Sequence, residues 1–136
     1  MNILNTAIIG AGAIHSCHVN ALRQIPNVAL RALVDIDSVK GLKLAMNYQC
    51  RFYQDYREML LDDSIDVVHI CTPHFEHKNM ILAALAAGKH VFCEKPVGMN
   101  SSELADIASA AAQAPGRLGV CYQNRLNPTK IGRAHV

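Results

Sequence analysis

Two glycines and a carboxylate near the N-terminus have the types and spacing of a site for a phosphate-containing ligand. Gly10 and Gly12 stand in the stretch GAGAIH, between an apolar run and a helical pattern, with His15 in place of a third glycine. Gly10 permits a tight turn, Gly12 lets the backbone approach a pyrophosphate, and the helix N-terminus offers free N–H groups. Asp35 ends the next apolar run, 20 residues beyond His15, where a carboxylate accepts ribose hydroxyls. This order predicts dinucleotide binding, and the alternative is a structural turn with a solvated strand end.

The same carboxylate bears on the type of cofactor. Asp35 would repel a 2′-phosphate, and the next two residues, Ile36 and Asp37, include no arginine to receive one. The sequence therefore predicts NAD as the cofactor in preference to NADP.

Seven histidines and five cysteines raise the question of a metal site, which their spacing does not favour. His15 and His18 are three residues apart, as are His74 and His77, but no carboxylate or cysteine follows at a matching spacing. We therefore predict no metal site. Three cysteines stand near the ends of predicted strands, where a free cysteine is by default a small buried hydrophobe: Cys71, Cys93 and Cys121.

Strand-length apolar runs alternate with helical patterns and would position these residues. The predicted strands are 3–9, 28–34, 50–53, 66–71, 90–93 and 118–122, and the predicted helices are about 14–24, 38–47, 55–61, 76–87 and 101–113. The second strand, VALRALV, has no regular polar alternation, which is typical of a strand buried on both faces. The pattern predicts an α/β fold, a doubly wound parallel sheet of about six strands with helices on both faces.

The composition is that of a folded domain without a strongly charged surface. The chain has 136 residues, 51% of them hydrophobic and 18% charged, with a formal net charge of +2. We expect one domain over residues 1–128. The small net charge predicts no nucleic-acid partner, and the apolar runs are too short to cross a membrane. The first residues have no basic segment of a signal peptide and the cysteines form no CxxC motif, so a reducing cytoplasm is the expected location.

Four motifs, in order from residue 3 to about residue 128, resemble the nucleotide-binding half of the Gfo/Idh/MocA dehydrogenases. They are GAGAI with His18, DVVHICTP with His77, AGKHVFCEKP around Lys95, and YQNRLNP around Gln123. The resemblance implies a Rossmann domain of a dehydrogenase that transfers a hydride between NAD and a sugar, cyclitol or related polyol. A cofactor-binding sensor or regulator without catalysis is the alternative.

The resemblance also implies roles for residues at the ends of the strands. Lys95 is the implied catalytic residue, beside the nicotinamide and the substrate carbinol, and the Lys95–Pro96 peptide bond is commonly cis in the family. His77 is implied either as a cofactor contact or as a hydrogen-bonding residue at a helix end. The implied cofactor-binding residues are Gly10, Gly12, Ala13, Ile14, Asp35, Thr72, Pro73, His77, Glu94, Lys95 and Gln123.

In this family a second, α+β domain closes the site, and too few residues remain after residue 128 to form one. The resemblance therefore implies a longer parent protein, expected to be a homo-oligomer, and a chain that binds cofactor without turnover. Residues 131–136 are what the codons ATC GGA AGA GCA CAC GTC encode, a string that matches a common sequencing adapter. We expect residues 129–136 to be a truncated tail, foreign from Ile131 onward.

Overall fold

The computed structural model, which describes residues 2–128, contains one parallel sheet of six strands. The strands are β1 Leu4–Ile9, β2 Val28–Val34, β3 Arg51–Tyr53, β4 Val67–Ile70, β5 His90–Glu94 and β6 Leu118–Cys121. They lie in the order β3-β2-β1-β4-β5-β6, so the chain crosses from one half of the sheet to the other between β1 and β4. The predicted doubly wound sheet is confirmed, and ligands of such sheets bind at the carboxyl ends of the strands near that switch point.

Five helices connect the strands: α1 His15–Leu22, α2 Ser38–Tyr48, α3 Tyr56–Leu60, α4 His77–Ala86 and α5 Ser101–Gln113. Three of them begin at residues whose side chains cap the helix. The side chains of Asp37, Asp55 and Asn100 accept backbone N–H groups at 3.0, 2.8 and 2.9 Å. Because a cap satisfies an amide that has no partner inside its helix, these residues fix where the three helices start.

The helix boundaries differ from the predicted ones mainly beside turns. α4 begins at His77 because a short 3₁₀ helix, His74–Glu76, first leads the chain away from Pro73. α1 ends at Leu22 because the backbone N–H groups of Gln24 and Ile25 bond at three-residue spacing, as in a tightened last turn. Neither difference moves a predicted site residue to another edge of the sheet.

The apolar core has two parts, one on each face of the sheet. Helices α1 and α2 cover β1 and β2 on one face, with Ile8, Val19 and Leu33 fully or almost fully buried. Helices α3, α4 and α5 cover the other face around Ile70 and Ile81. The predicted placement of helices on both faces is confirmed, and it leaves the carboxyl ends of the strands as the free edge.

Residues 129–136, including the predicted foreign tail, lie outside the described residues. Within residues 2–128, no helix is long and apolar enough to cross a membrane.

All five cysteines are free, and Cys71 and Cys93 are buried as predicted, whereas Cys121 is partly exposed. Burial raises the pKa of the Cys93 thiol to about 12 and that of the Cys71 thiol further still.

Candidate functional site

The turn between β1 and α1 requires a glycine at its first position. Gly10 has a φ of +95°, and a Cβ atom there would lie 2.8 Å from the carbonyl oxygen of Cys71. The backbones of β1 and the loop after β4 therefore approach each other more closely than any side chain at Gly10 would allow. Gly12 differs, because a Cβ at that position would meet no protein atom within 4 Å. Its missing side chain leaves open space above the start of α1.

The N-terminus of α1 has no side-chain cap, although the N–H groups of His15 and Cys17 donate to the carbonyls of Gly12 and Ile14 at 3.3 and 3.1 Å. Its N-cap residue, Ile14, makes no side-chain cap, so the first amides of the helix are not satisfied by a capping side chain. His15, where the dinucleotide fingerprint has a third glycine, fits because its ring turns toward α2. Its Nε2 lies 2.8 Å from the hydroxyl of Tyr48, and its Nδ1 contacts the carbonyl of Gly12. The departure from the fingerprint is thus accommodated by packing between the two helices.

Asp35, at the end of β2, is held beside the glycine turn. One carboxylate oxygen accepts the N–H of Ala11 at 2.8 Å, and the other accepts the N–H of Asp37 at 2.8 Å. A carboxylate has about four acceptor sites, and these two amides take two of them. The carboxylate that the spacing predicted to meet ribose hydroxyls therefore lies directly next to the turn predicted to hold the pyrophosphate.

Lys40 is a residue of this site that sequence reasoning missed. Its Nζ lies 3.5 Å from the Asp35 carboxylate, and the side chain lines the same cleft. No basic residue directly follows Asp35 in the sequence, but the first turn of α2 brings Lys40 back to it. A helical spacing of three residues from Asp37 is the signal that would have found it.

The loop after β4 contributes a second wall. Thr72 and Pro73 line the same cleft as Gly10, Gly12 and Asp35. All five are among the residues predicted to bind a cofactor, and that binding remains a prediction. The cleft has a volume of about 770 Å³. This volume is within the range of pockets that hold a small molecule or cofactor. The hydroxyl of Thr72 donates to the sulfur of Met80 at 3.3 Å, which holds that side chain against α4.

His77 does not line the cleft, and its predicted contact with a cofactor remains a prediction. The side chain is fully buried, and its ring nitrogens lie 2.7 Å from the carbonyl oxygen of Pro96 and 2.9 Å from that of Thr72. Of the two implied roles, the structure shows the hydrogen-bonding one. The ring connects the loop after β4 to the turn after β5, so it holds together two segments of the candidate site.

The end of β5 carries Glu94 and Lys95 in different environments. Glu94 is buried, and its carboxylate lies 2.7 Å from Nε2 of His18 on α1. Lys95 is exposed, the peptide bond to Pro96 is cis, and no other residue of 2–128 accepts a hydrogen bond from the Lys95 ammonium. Because Ile70 and Cys93 are register partners, Thr72 and Lys95 follow them at the same edge of the sheet.

The other predicted residues lie beside this edge without lining the cleft. Ala13 and Ile14 are at the start of α1, and Gln123 begins a 3₁₀ helix, Gln123–Leu126, directly after β6. Their predicted contacts with a cofactor remain predictions.

A buried histidine pair under this edge has a consequence for pH. Nδ1 of His69 lies 3.0 Å from Nδ1 of His18, and burial together with the charge of His18 lowers the pKa of His69 to about 4. In the unfolded chain the same group titrates near 6.5. Between these values the unfolded chain binds more protons than the folded one, so acid favours unfolding.

We therefore expect the free energy of unfolding to fall by up to about 3 kcal/mol as the pH is lowered from about 6.5 to 4. Chemical denaturation across this range measures the loss. His69→Gln should flatten the profile, and His74→Gln, which removes an exposed histidine, should leave it unchanged. An unaltered profile in His69→Gln would show that the loss has another origin.

The residues present fit a dinucleotide cofactor. The open space above Gly12, the uncapped amides of α1 and the fixed Asp35 carboxylate offer room, N–H donors and acceptors in the order pyrophosphate and ribose require.

Comparison with known proteins agrees with this arrangement. The family model described as "Oxidoreductase family, NAD-binding Rossmann fold" matches residues 4–122. The uncharacterized oxidoreductase YrbE of Bacillus subtilis is 36% identical over 124 residues, which are 90% of this chain and 36% of that protein. Myo-inositol 2-dehydrogenase of Thermotoga maritima is 32% identical over 106 residues, 76% of this chain and 30% of that protein.

A solved structure gives the same result for the fold. The crystal structure of GenD2 from gentamicin A biosynthesis in complex with NAD superposes with a TM-score of 0.91 at 30% identity, covering 99% of this chain and 38% of that one. The chain thus spans well under half the length of the proteins it matches. Because the family model covers most of its residues, the chain belongs to the Gfo/Idh/MocA oxidoreductase family and carries that family's NAD-binding Rossmann domain.

Proposed function

We propose that this chain is the cofactor-binding part of an NAD-dependent dehydrogenase that acts on a sugar, cyclitol or related polyol. The observation that carries the proposal is the cleft at the switch point of the sheet, where Asp35 is fixed by the N–H of Ala11 beside the open space at Gly12. The substrate class rests on the similarity to myo-inositol 2-dehydrogenase. The bound cofactor would supply hydride transfer.

The residues of the chain would bind and orient the reactants. The amides at the start of α1 would hold the pyrophosphate, and the free acceptor sites of Asp35 would receive ribose hydroxyls. Lys95 has an exposed ammonium with three N–H donors at the same edge. Its ammonium would donate to the reacting oxygen of the substrate and stabilise the charge that develops there.

We propose NAD in preference to NADP because Asp35 is a fixed negative charge where a 2′-phosphate would lie. Lys40 moderates this repulsion, and its contact with Asp35 is long, at 3.5 Å. The two backbone N–H groups that donate to Asp35 keep its carboxylate in place, so its charge would repel the 2′-phosphate of a ligand in the cleft.

The proposal is tested by titrating the purified chain with NAD and NADP by calorimetry. We expect NAD to bind more tightly than NADP, and Asp35→Ser to weaken NAD by about 10–100-fold, because it removes hydrogen bonds to a charged acceptor. The same variant should narrow the difference between the cofactors, since it leaves Lys40 free to meet a 2′-phosphate. Asp106→Asn, a change in an exposed ion pair, is the control and should bind NAD normally. Equal NAD affinity in Asp35→Ser would contradict the proposal.

We also propose that the 136-residue chain binds cofactor without turnover. Its relatives are far longer, and no histidine of this chain is assigned by motif the role of contacting the substrate or of transferring the proton. Substrate-dependent NADH formation by the purified chain, tested over a panel of cyclic polyols, would overturn this.

A further inference from the structure

Three metal-ligating side chains from distant parts of the sequence meet under the carboxyl edge of the sheet. A ring nitrogen of His18, a carboxylate oxygen of Glu94 and Sγ of Cys121 all lie within 4.8 Å of one another. Glu94 and Cys121 are register partners in adjacent parallel strands, so their side chains leave the sheet on the same face. His18 reaches them from α1. Histidine spacing alone pointed to no metal site, because these partners come from strands late in the chain.

We propose that His18, Glu94 and Cys121 form a binding site for a divalent cation of the zinc type. Imidazole, carboxylate and thiolate are the three kinds of ligand that zinc takes in proteins. A thiolate and an imidazole among only three donors disfavour magnesium and calcium, which require several oxygens. Three protein ligands leave the fourth tetrahedral position to water.

The distances require a small local adjustment. Bonds of 2.0–2.3 Å in a tetrahedral zinc site place the ligand atoms about 3.3–3.8 Å apart. The His18–Glu94 contact of 2.7 Å, now a hydrogen bond, would therefore open by about 0.6 Å. The Cys121 sulfur, within 4.8 Å of both, would move closer. The thiol would release its proton to solvent as the sulfur–metal bond forms. His18 would bind as the neutral tautomer with its hydrogen on Nδ1, so that Nε2 has a lone pair for the cation and Nδ1 donates to Nδ1 of His69.

The surroundings already hold the histidine ligand in one orientation. Nδ1 of His69 lies 3.0 Å from Nδ1 of His18, on the ring nitrogen that would not bind the cation. Hydrogen bonding at that second nitrogen is what fixes the orientation of metal-binding histidines. The His18 and His69 rings meet edge to face at 5.3 Å, and Phe92 packs against both. A rigid ligand loses little freedom on binding.

The site also has an entry path. On the face of the sheet that α1 covers, the buried core of the described residues includes Cys71 but no residue of β5 or β6. Cys121 is accordingly partly exposed, although His18 and Glu94 are buried. A hydrated cation can therefore reach the sulfur first and then the two deeper ligands.

The experiment is a cobalt titration of the purified chain, reduced and freed of metal, without cofactor. Cobalt(II) replaces zinc in such sites and reports thiolate ligation by a near-ultraviolet charge-transfer absorption. We expect one equivalent to bind, with that absorption present, and zinc to displace it. Cys121→Ser should abolish the absorption, His18→Asn should weaken cobalt binding at least about tenfold, and Cys17→Ser, which removes the exposed thiol on α1, should change neither.

Circular dichroism of each variant shows whether it is folded, and Cys121→Ser alters a partly exposed side chain that the core does not need. Absence of a saturable absorption in the folded chain would overturn the proposal. So would an absorption that survives Cys121→Ser or is lost in Cys17→Ser. The readout uses no cofactor, so its failure and the failure of the proposed dehydrogenase function are separate results.

Discussion

Lys95→Met is expected to lower kcat of the proposed full-length dehydrogenase by about 10²–10³-fold, with NAD affinity changed by no more than about twofold. The expectation rests on the position of the ammonium, which is exposed at the end of β5 and has no protein acceptor among residues 2–128. A donor aimed at the reacting oxygen acts on the charge that develops during the reaction, so its loss appears in turnover rather than in cofactor binding. Methionine keeps most of the length of the side chain and removes the charge.

Steady-state NADH formation with a polyol accepted by the unsubstituted enzyme measures kcat, and calorimetry measures NAD affinity. Lys43→Met removes an exposed ammonium from α2 and is the matched control, expected to retain normal turnover. If Lys95→Met turns over normally, Lys95 is not a catalytic residue. If the unsubstituted protein binds NAD but accepts no substrate, the non-catalytic sensor is the better description.

Gly10→Ala is expected to lower the free energy of unfolding by about 2–4 kcal/mol, whereas Gly12→Ala should change it by less than about 0.5 kcal/mol. At Gly10 the φ of +95° strains any other residue, and the new Cβ would lie 2.8 Å from the Cys71 carbonyl oxygen and 3.1 Å from Cγ2 of Thr72. At Gly12 the new Cβ would meet no protein atom. The two glycines of one motif thus have different reasons to be glycine.

Measured NAD affinity distinguishes the conformational requirement at Gly10 from the proposed ligand-binding role of Gly12. Gly12→Ala should remain as stable as the unsubstituted chain and yet bind NAD about tenfold or more weakly, because its methyl group enters the space proposed for the pyrophosphate. Thermal or chemical unfolding and a calorimetric titration of both variants give the comparison. A Gly12→Ala variant with unchanged affinity would contradict the placement of the pyrophosphate, and a fully stable Gly10→Ala would contradict the close approach of the two backbones.

The fold was largely predictable because strand burial and helix capping are local properties of the sequence. The β2 boundaries match the prediction because a continuous apolar run marks a strand buried on both faces. The start of α2 is settled by Asp37, whose side chain bonds the amide of Lys40. Boundaries at the ends of α1 and α4 were less accurate, since 3₁₀ turns leave no distinct sequence pattern.

The candidate site was predictable only in part. Glycine spacing and strand ends located Gly10, Gly12 and Asp35, because these depend on the order of elements. The pairing of His18 with Glu94 joins residues 76 positions apart and depends on how α1 lies across the sheet. His77 shows the opposite limit. The motif match left open a cofactor contact or a helix-end hydrogen bond, and only the packing shows that both ring nitrogens lie against backbone carbonyl oxygens.

The two hydrogen bonds that Asp35 accepts from backbone N–H groups have a consequence for how selectively a ligand is bound. A free carboxylate on the surface samples several rotamers and must lose that freedom on binding. Asp35 has already lost it during folding, because Ala11 and Asp37 hold one oxygen each. Its remaining acceptor sites therefore point in fixed directions before a ligand arrives. We therefore expect the cleft to discriminate between ligands by the geometry of their hydroxyl groups rather than by adapting to them.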